Sequence, residues 1–76
     1  MSKIVTSNDI EKTIEIYSDL LYRTCFLMLR NKQDAEDIMQ ETFIQYMTSN
    51  MGFVSEEHKK AWLLRVSQNK CKNGWK

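Results

Sequence analysis

An all-α fold, a small bundle of three or four helices, is what this chain predicts, and three observations carry it. Proline is absent and glycine occurs only at positions 52 and 74, so turn signals are few. Apolar residues recur at spacings of three and four. The period-two alternation of strands never runs for long. At 76 residues the chain has room for one domain, which buries about 60% of its unfolded surface. The 42% hydrophobic and 28% charged content fit a folded chain and not a disordered one.

The first helix is expected over about residues 8–30, capped by Ser7, Asn8 or Asp9. Its stripe is Ile10, Ile14, Tyr17, Leu21, Cys25 and Met28, all on one face. Beyond Leu20 the apolar residues spread round the helix, through Tyr22, Phe26, Leu27 and Leu29, which predicts the centre of the core there. Asn31-Lys32-Gln33 reads as a polar break, after which Asp34 caps a second helix over 34–49. Ala35, Ile38, Met39, Thr42, Phe43 and Tyr46 share the side that should face the first helix. The opposite side holds Asp37, Gln40, Glu41, Ile44 and Thr48, an isoleucine among acids and an amide. Such a strip suits docking to a protein; a solvated face with one stray apolar residue is the plainer alternative.

Thr48 to Glu57 form a loop of small and polar residues around Gly52, longer than a helix connection needs and carrying Met51, Phe53 and Val54. Phe53 reads first as a lid on the core. Ser55, followed by Glu56 and Glu57, starts a third helix over 56–73, within which these acids are placed to pair with Lys60. Arg65, Asn69, Lys72 and Lys76 then fall on one side of it, flanked by Trp62, Leu63 and Val66 one way and Leu64, Cys71 and Trp75 the other. Trp62 is expected in the core, and Trp75 is left open between core and base contact.

Charge is segregated along the chain. Residues 1–57 carry ten acids against five cations, a net of −5, and residues 58–76 carry six cations and no acid, so the total of +1 hides two opposite surfaces. A basic stripe near tryptophan suits a polyanion with stackable bases, and an acidic half suits a basic protein partner. Cations at a helix C-terminus also suit its dipole, which accounts for Lys72 and Lys76 but not for the loss of every acid after residue 57.

Cys25 and Cys71 have no zinc-ligand or CxxC spacing and are expected as reduced thiols in a cytosol. No run has signal-peptide or membrane-spanning character, so a cytoplasmic protein is expected. His58 has no Cys, Ser or carboxylate at triad or metal spacing, which argues against an enzyme, and no cofactor motif is present.

Two segments together go further. Asp34-Ala35-Glu36-Asp37-Ile38-Met39-Gln40-Glu41-Thr42-Phe43, and then Ala61-Trp62-Leu63-Leu64-Arg65-Val66 with Asn69, resemble the DAED-x-x-QE-x-F and WL-x-R-[IV]-x-x-N signature of bacterial RNA polymerase sigma factors of the sigma-70 family, extracytoplasmic-function group. The likeness is to their region 2, over roughly residues 15–76, and implies a small all-helical bundle. It implies that Asp37, Gln40, Glu41 and Ile44 dock on the clamp helices of the largest subunit of core RNA polymerase. It implies a minus-ten loop of Ser49, Asn50, Met51 and Phe53 that captures a flipped base of promoter DNA. Lys60, Arg65, Gln68, Asn69, Lys72 and Lys76 would hold the opened non-template strand.

The family also implies an inhibitory anti-sigma partner. A helical protein-interaction module without its own DNA binding is the alternative reading. The chain departs from the pattern at Asn73, where most relatives carry Asp, and at Gly74. The second family domain, a helix-turn-helix, is absent after residue 76, and an excised domain is expected in preference to a truncated protein.

Overall fold

The computed structural model describes residues 7–49 and 52–73, which form three helices, α1 (Ser7–Leu29), α2 (Lys32–Ser49) and α3 (Glu56–Lys72), with no strand among the described residues. Each helix packs against both others. The body measures 41 × 20 × 20 Å.

α1 begins at Ser7, so Asn8 and Asp9 lie inside its first turn and not ahead of it. It ends one residue earlier than the spacing predicts, because Arg30 takes a left-handed φ of 55° and its amide closes back on the Phe26 carbonyl at 2.6 Å. The break before α2 is only Arg30 and Asn31, too short for anything but an antiparallel hairpin. Asn31, not Asp34, is the cap: its Oδ1 accepts from the Asp34 amide at 2.9 Å. Asp34 therefore sits in the first turn, where its charge suits the dipole. Ser55 caps α3 as expected, with extended φ and ψ and its hydroxyl accepting from the His58 amide.

The main core cluster is Tyr17, Leu21, Phe43, Tyr46 and Leu63, with Ile10, Ile14, Leu20, Met39, Phe53, Trp62 and Leu64 packed against it. A second, smaller cluster joins Cys25, Ala35, Ile38 and Cys71, flanked by Tyr22 and Leu29. The main cluster thus centres on Tyr17 and Leu21, at the near edge of the greasier half, in which only Leu21 and Cys25 are buried. Phe26, Leu27 and Met28 are exposed, Leu27 by 66%. In a three-helix bundle each helix is covered by two neighbours, so apolar residues spread all round α1 leave one flank in solvent. Met28 shares the direction of the buried stripe but falls in the last turn, where α2 has only just begun.

On α3 the buried line is Leu63, Ser67 and Cys71 at four-residue spacing, so Leu63 and Cys71 share a side instead of flanking the helix. The buried hydroxyls are all satisfied. Thr42 donates to the Ile38 carbonyl (2.8 Å), Ser67 to that of Leu64 (3.0 Å), and Thr13 meets Tyr46 Oη at 3.2 Å. No described buried side-chain polar atom lacks a partner.

Candidate functional site

α2 turns its apolar residues inward at Ala35, Ile38, Thr42, Phe43 and Tyr46 and thereby turns the opposite side out. Gln40, Glu41, Ile44 and Thr48 are exposed and Asp37 is half-exposed, with Gln33 Nε2 reaching Asp37 Oδ1 at 3.4 Å. Ile44 is 48% exposed, and Met47, one turn on, is 40% exposed. The two make an apolar step beside the acid and amide. Met47 was not singled out from the sequence, though its spacing of three from Ile44 was the available signal. A groove of about 520 Å³ opens beside the strip between α1 and α2, lined by Asp19, Tyr22, Lys32, Glu36, Met39 and Gln40, among others. Side chains of two helices build it, and spacing along either helix alone carries no sign of it.

On α3, Arg65, Gln68, Asn69 and Lys72 are exposed and lie within about 100° of one another round the helix. Lys60 is exposed too, but five residues before Arg65 the helix has turned by about 140°, so it stands apart from the stripe. Among the described residues, Arg65 and Lys72 make no ion pair with Asp37 or Glu41. The ion pairs lie elsewhere, at Arg23–Asp19 (3.1 Å) and Lys59–Glu56 (3.3 Å). Glu56 thus takes Lys59 and not Lys60, because Lys59 points inward over the Tyr46 ring (5.6 Å) and donates to Thr13 Oγ1 at 3.1 Å. Of the expected residues, Asn50, Met51 and Lys76 lie outside the described ones, as does Trp75.

The described part of the α2–α3 loop is anchored from both sides. Ser49 at the end of α2 is half-buried, its hydroxyl donating to the Tyr46 carbonyl at 3.0 Å. Phe53 is half-buried among Tyr46 (5.9 Å between centroids), Trp62 (5.6 Å) and His58 (5.3 Å). It is a lid, and it ties the loop to the helices that carry the two exposed faces.

Beneath this lid a polar network joins the three helices. Tyr17 Oη donates to Glu56 Oε1 at 2.7 Å, Lys59 Nζ to Glu56 Oε2 at 3.3 Å, and Lys59 also reaches Thr13, which meets Tyr46. Burial and then the Glu56 hydrogen bond push the Tyr17 phenol up to about 12. The Tyr17 hydroxyl holds Glu56 below its ordinary value, burial opposes it, and Lys59 adds to the lowering. For Lys59 burial works against the charge, yet Tyr46 and Glu56 outweigh it and raise its pKa. No group of three or more His, Cys, Asp or Glu placed to hold a metal occurs among the described residues. None of the described helices is long and apolar enough to cross a membrane.

The Sigma-70 region 2 family model matches residues 13–76, well over half of the chain, and the chain belongs to that family. Its members are non-catalytic transcription factors. The chain is similar to the ECF RNA polymerase sigma factor SigW of Bacillus subtilis (strain 168), 38% identical over 56 residues, 74% of this chain and 30% of that protein. SigX of the same organism is 31% identical over 55 residues, 72% of this chain and 28% of SigX. The ECF sigma factor SigG of Mycobacterium tuberculosis is 32% identical over 63 residues, 83% of this chain and 17% of SigG. The chain therefore spans less than a third of the length of these relatives. No solved structure matches it.

Proposed function

We propose that this domain acts in the cytoplasm in transcription initiation, docking on core RNA polymerase through α2 and holding the opened non-template strand of a minus-ten promoter element along α3. One observation carries the reading: each motif-bearing helix turns apolar motif residues into the core and polar ones out to solvent. Ala35, Ile38, Phe43 and Leu63 are buried, while Gln40, Glu41, Arg65 and Asn69 face solvent. A polar acid-amide strip with the Ile44–Met47 step suits a basic helical protein surface, where an apolar anchor is ringed by charge. A stripe of Arg65, Gln68, Asn69 and Lys72 suits a phosphate backbone, with amides for base edges. An anti-sigma partner would compete for the same α2 strip.

The test has two arms. Core RNA polymerase is expected to retain the wild type and to lose the Gln40→Ala/Glu41→Lys and Ile44→Asp variants. Labelled single-stranded DNA is expected to bind with a log–log salt slope of about −0.7 per phosphate contacted, and Arg65→Glu or Lys72→Glu to make that slope shallower. A wild type that polymerase does not retain, and DNA affinity indifferent to salt, would hand the chain to the protein-adaptor reading.

A further inference from the structure

The groove between α1 and α2 runs into the exposed strip through Gln40, which belongs to both. Tyr22 of α1 and Glu36 and Met39 of α2 line it half-buried, and Asp19, Lys32 and Gln40 stand exposed at its lip. Lys32, Glu36, Met39 and Gln40 share one face of α2 by their spacing, so that face supplies one wall. Tyr22 is stacked on Phe26 at 6.1 Å between centroids, which steadies the ring opposite. The polar groups here are unequal. Asp19 is engaged with Arg23 at 3.1 Å, whereas Lys32, Glu36 and Gln40 make no side-chain hydrogen bond or ion pair among the described residues. Glu36 is thus a half-buried carboxylate without a donor, set between an aromatic ring and a thioether. Burial, even in part, takes hydration from a carboxylate, and a donor is what returns it.

We propose that this groove seats an arginine side chain of the protein that docks on α2, its guanidinium on Glu36 and against Tyr22, its alkyl stem along Met39. The inference rests on the polymerase-docking reading above and extends it from an exposed strip to a recess beside it. A guanidinium offers paired donors to both oxygens of a carboxylate and a flat face to an aromatic ring, and the stem that carries it is apolar. A lysine ammonium brings the charge without the fork or the plane. The lining charges favour a cation, since Asp19 and Glu36 stand against Lys32. Lys32 repels such a guest, and that gives the site a sign of its own. Removing Lys32 strengthens the docking of an arginine and weakens that of an acidic side chain.

The test measures the affinity of core RNA polymerase for the fluorescently labelled chain, as wild type, Glu36→Gln, Lys32→Ala and Glu41→Lys, by anisotropy at one fixed salt concentration. Glu36→Gln keeps the shape of the side chain and is expected to weaken binding about ten-fold, the weight of one charge-assisted hydrogen bond. Lys32→Ala is expected to tighten it about two-fold. Neither residue has a side-chain partner within the chain, so both variants are expected to keep the wild-type thermal melt. A second arm needs no polymerase. Nα-acetyl-arginine amide, added at millimolar concentration to the isotope-labelled chain, is expected to shift the backbone NMR signals of Tyr22, Glu36 and Gln40. Nα-acetyl-lysine amide is expected to shift them less, and Glu36→Gln to abolish the difference. Polymerase that binds wild type, loses Glu41→Lys and does not distinguish Glu36→Gln would overturn the seat and leave the docking strip standing, as would a Lys32→Ala variant that binds more weakly. Equal responses to the two amides would overturn the choice of arginine. Polymerase that does not bind the wild type would bring down the docking reading, and this inference with it.

Discussion

At the scale of single residues, Arg30 is the place where the backbone is least at ease. Its φ of 55° is the left-handed conformation that glycine adopts freely and that costs other residues about 1 kcal/mol. Arg30→Gly is therefore expected to stabilise the domain by up to about 1 kcal/mol, visible as a rise of about 4–8 °C in a thermal melt. An unchanged or lowered Tm would mean that the loss of the Arg side chain and the greater freedom of the unfolded chain outweigh the relief. The turn was legible in outline, as a polar break after residue 30, but its cap was not. Asn31 and Asp34 are both good capping residues, and choosing between them takes the path of the chain, because the two-residue turn leaves Asn31 as the residue just outside the helix.

At the scale of elements, the Tyr17–Glu56–Lys59 network holds the start of α3 against α1. Folding favours the ionised form of Glu56, so its contribution is complete above its ordinary value of 4.5 and drains away as the pH falls below it. Thermal melts at about pH 6 and about pH 3 are expected to show a larger loss for wild type than for Glu56→Gln. The variant's amide still accepts from Tyr17 but has no charge to lose. Equal losses would place the acid sensitivity elsewhere. The two faces of α2 were readable because its apolar and polar residues each keep one side over the whole helix. Beyond Leu20, α1 was readable only along its stripe, where Leu21 and Cys25 are buried as the spacing predicts; outside it apolar residues point in every direction and the crossing partners decide which are covered. The network under the lid was not legible either. Thr13, Tyr17, Tyr46, Glu56 and Lys59 come from three helices, and spacing along any one of them carries no sign that they meet.

At the scale of the whole molecule, the segregation of charge along the chain becomes a segregation in space. Among the described residues, acids of α2 and cations of α3 make no ion pair with each other, so neither face neutralises the other. That much followed from counting charges, since a helix stripe needs only its own spacing. What followed less well was the groove beside Gln40 and the seating of Phe53, both of which depend on how neighbouring helices meet.

The pair of thiols has a practical consequence. Cys25 is fully enclosed and Cys71 nearly so, on α1 and α3 respectively, and enclosure followed by the adjacent Cys71 pushes the Cys25 thiol up to about 12. Alkylating reagents attack thiolates, so the native molecule should be almost inert to them until it opens. Both sulfurs would then serve as an unfolding clock that needs no engineered label. With iodoacetamide, mass spectrometry is expected to find molecules carrying two adducts or none, the bimodal signature of one cooperative opening. A build-up of singly labelled chains would reveal instead that the distal end of α3 frays on its own.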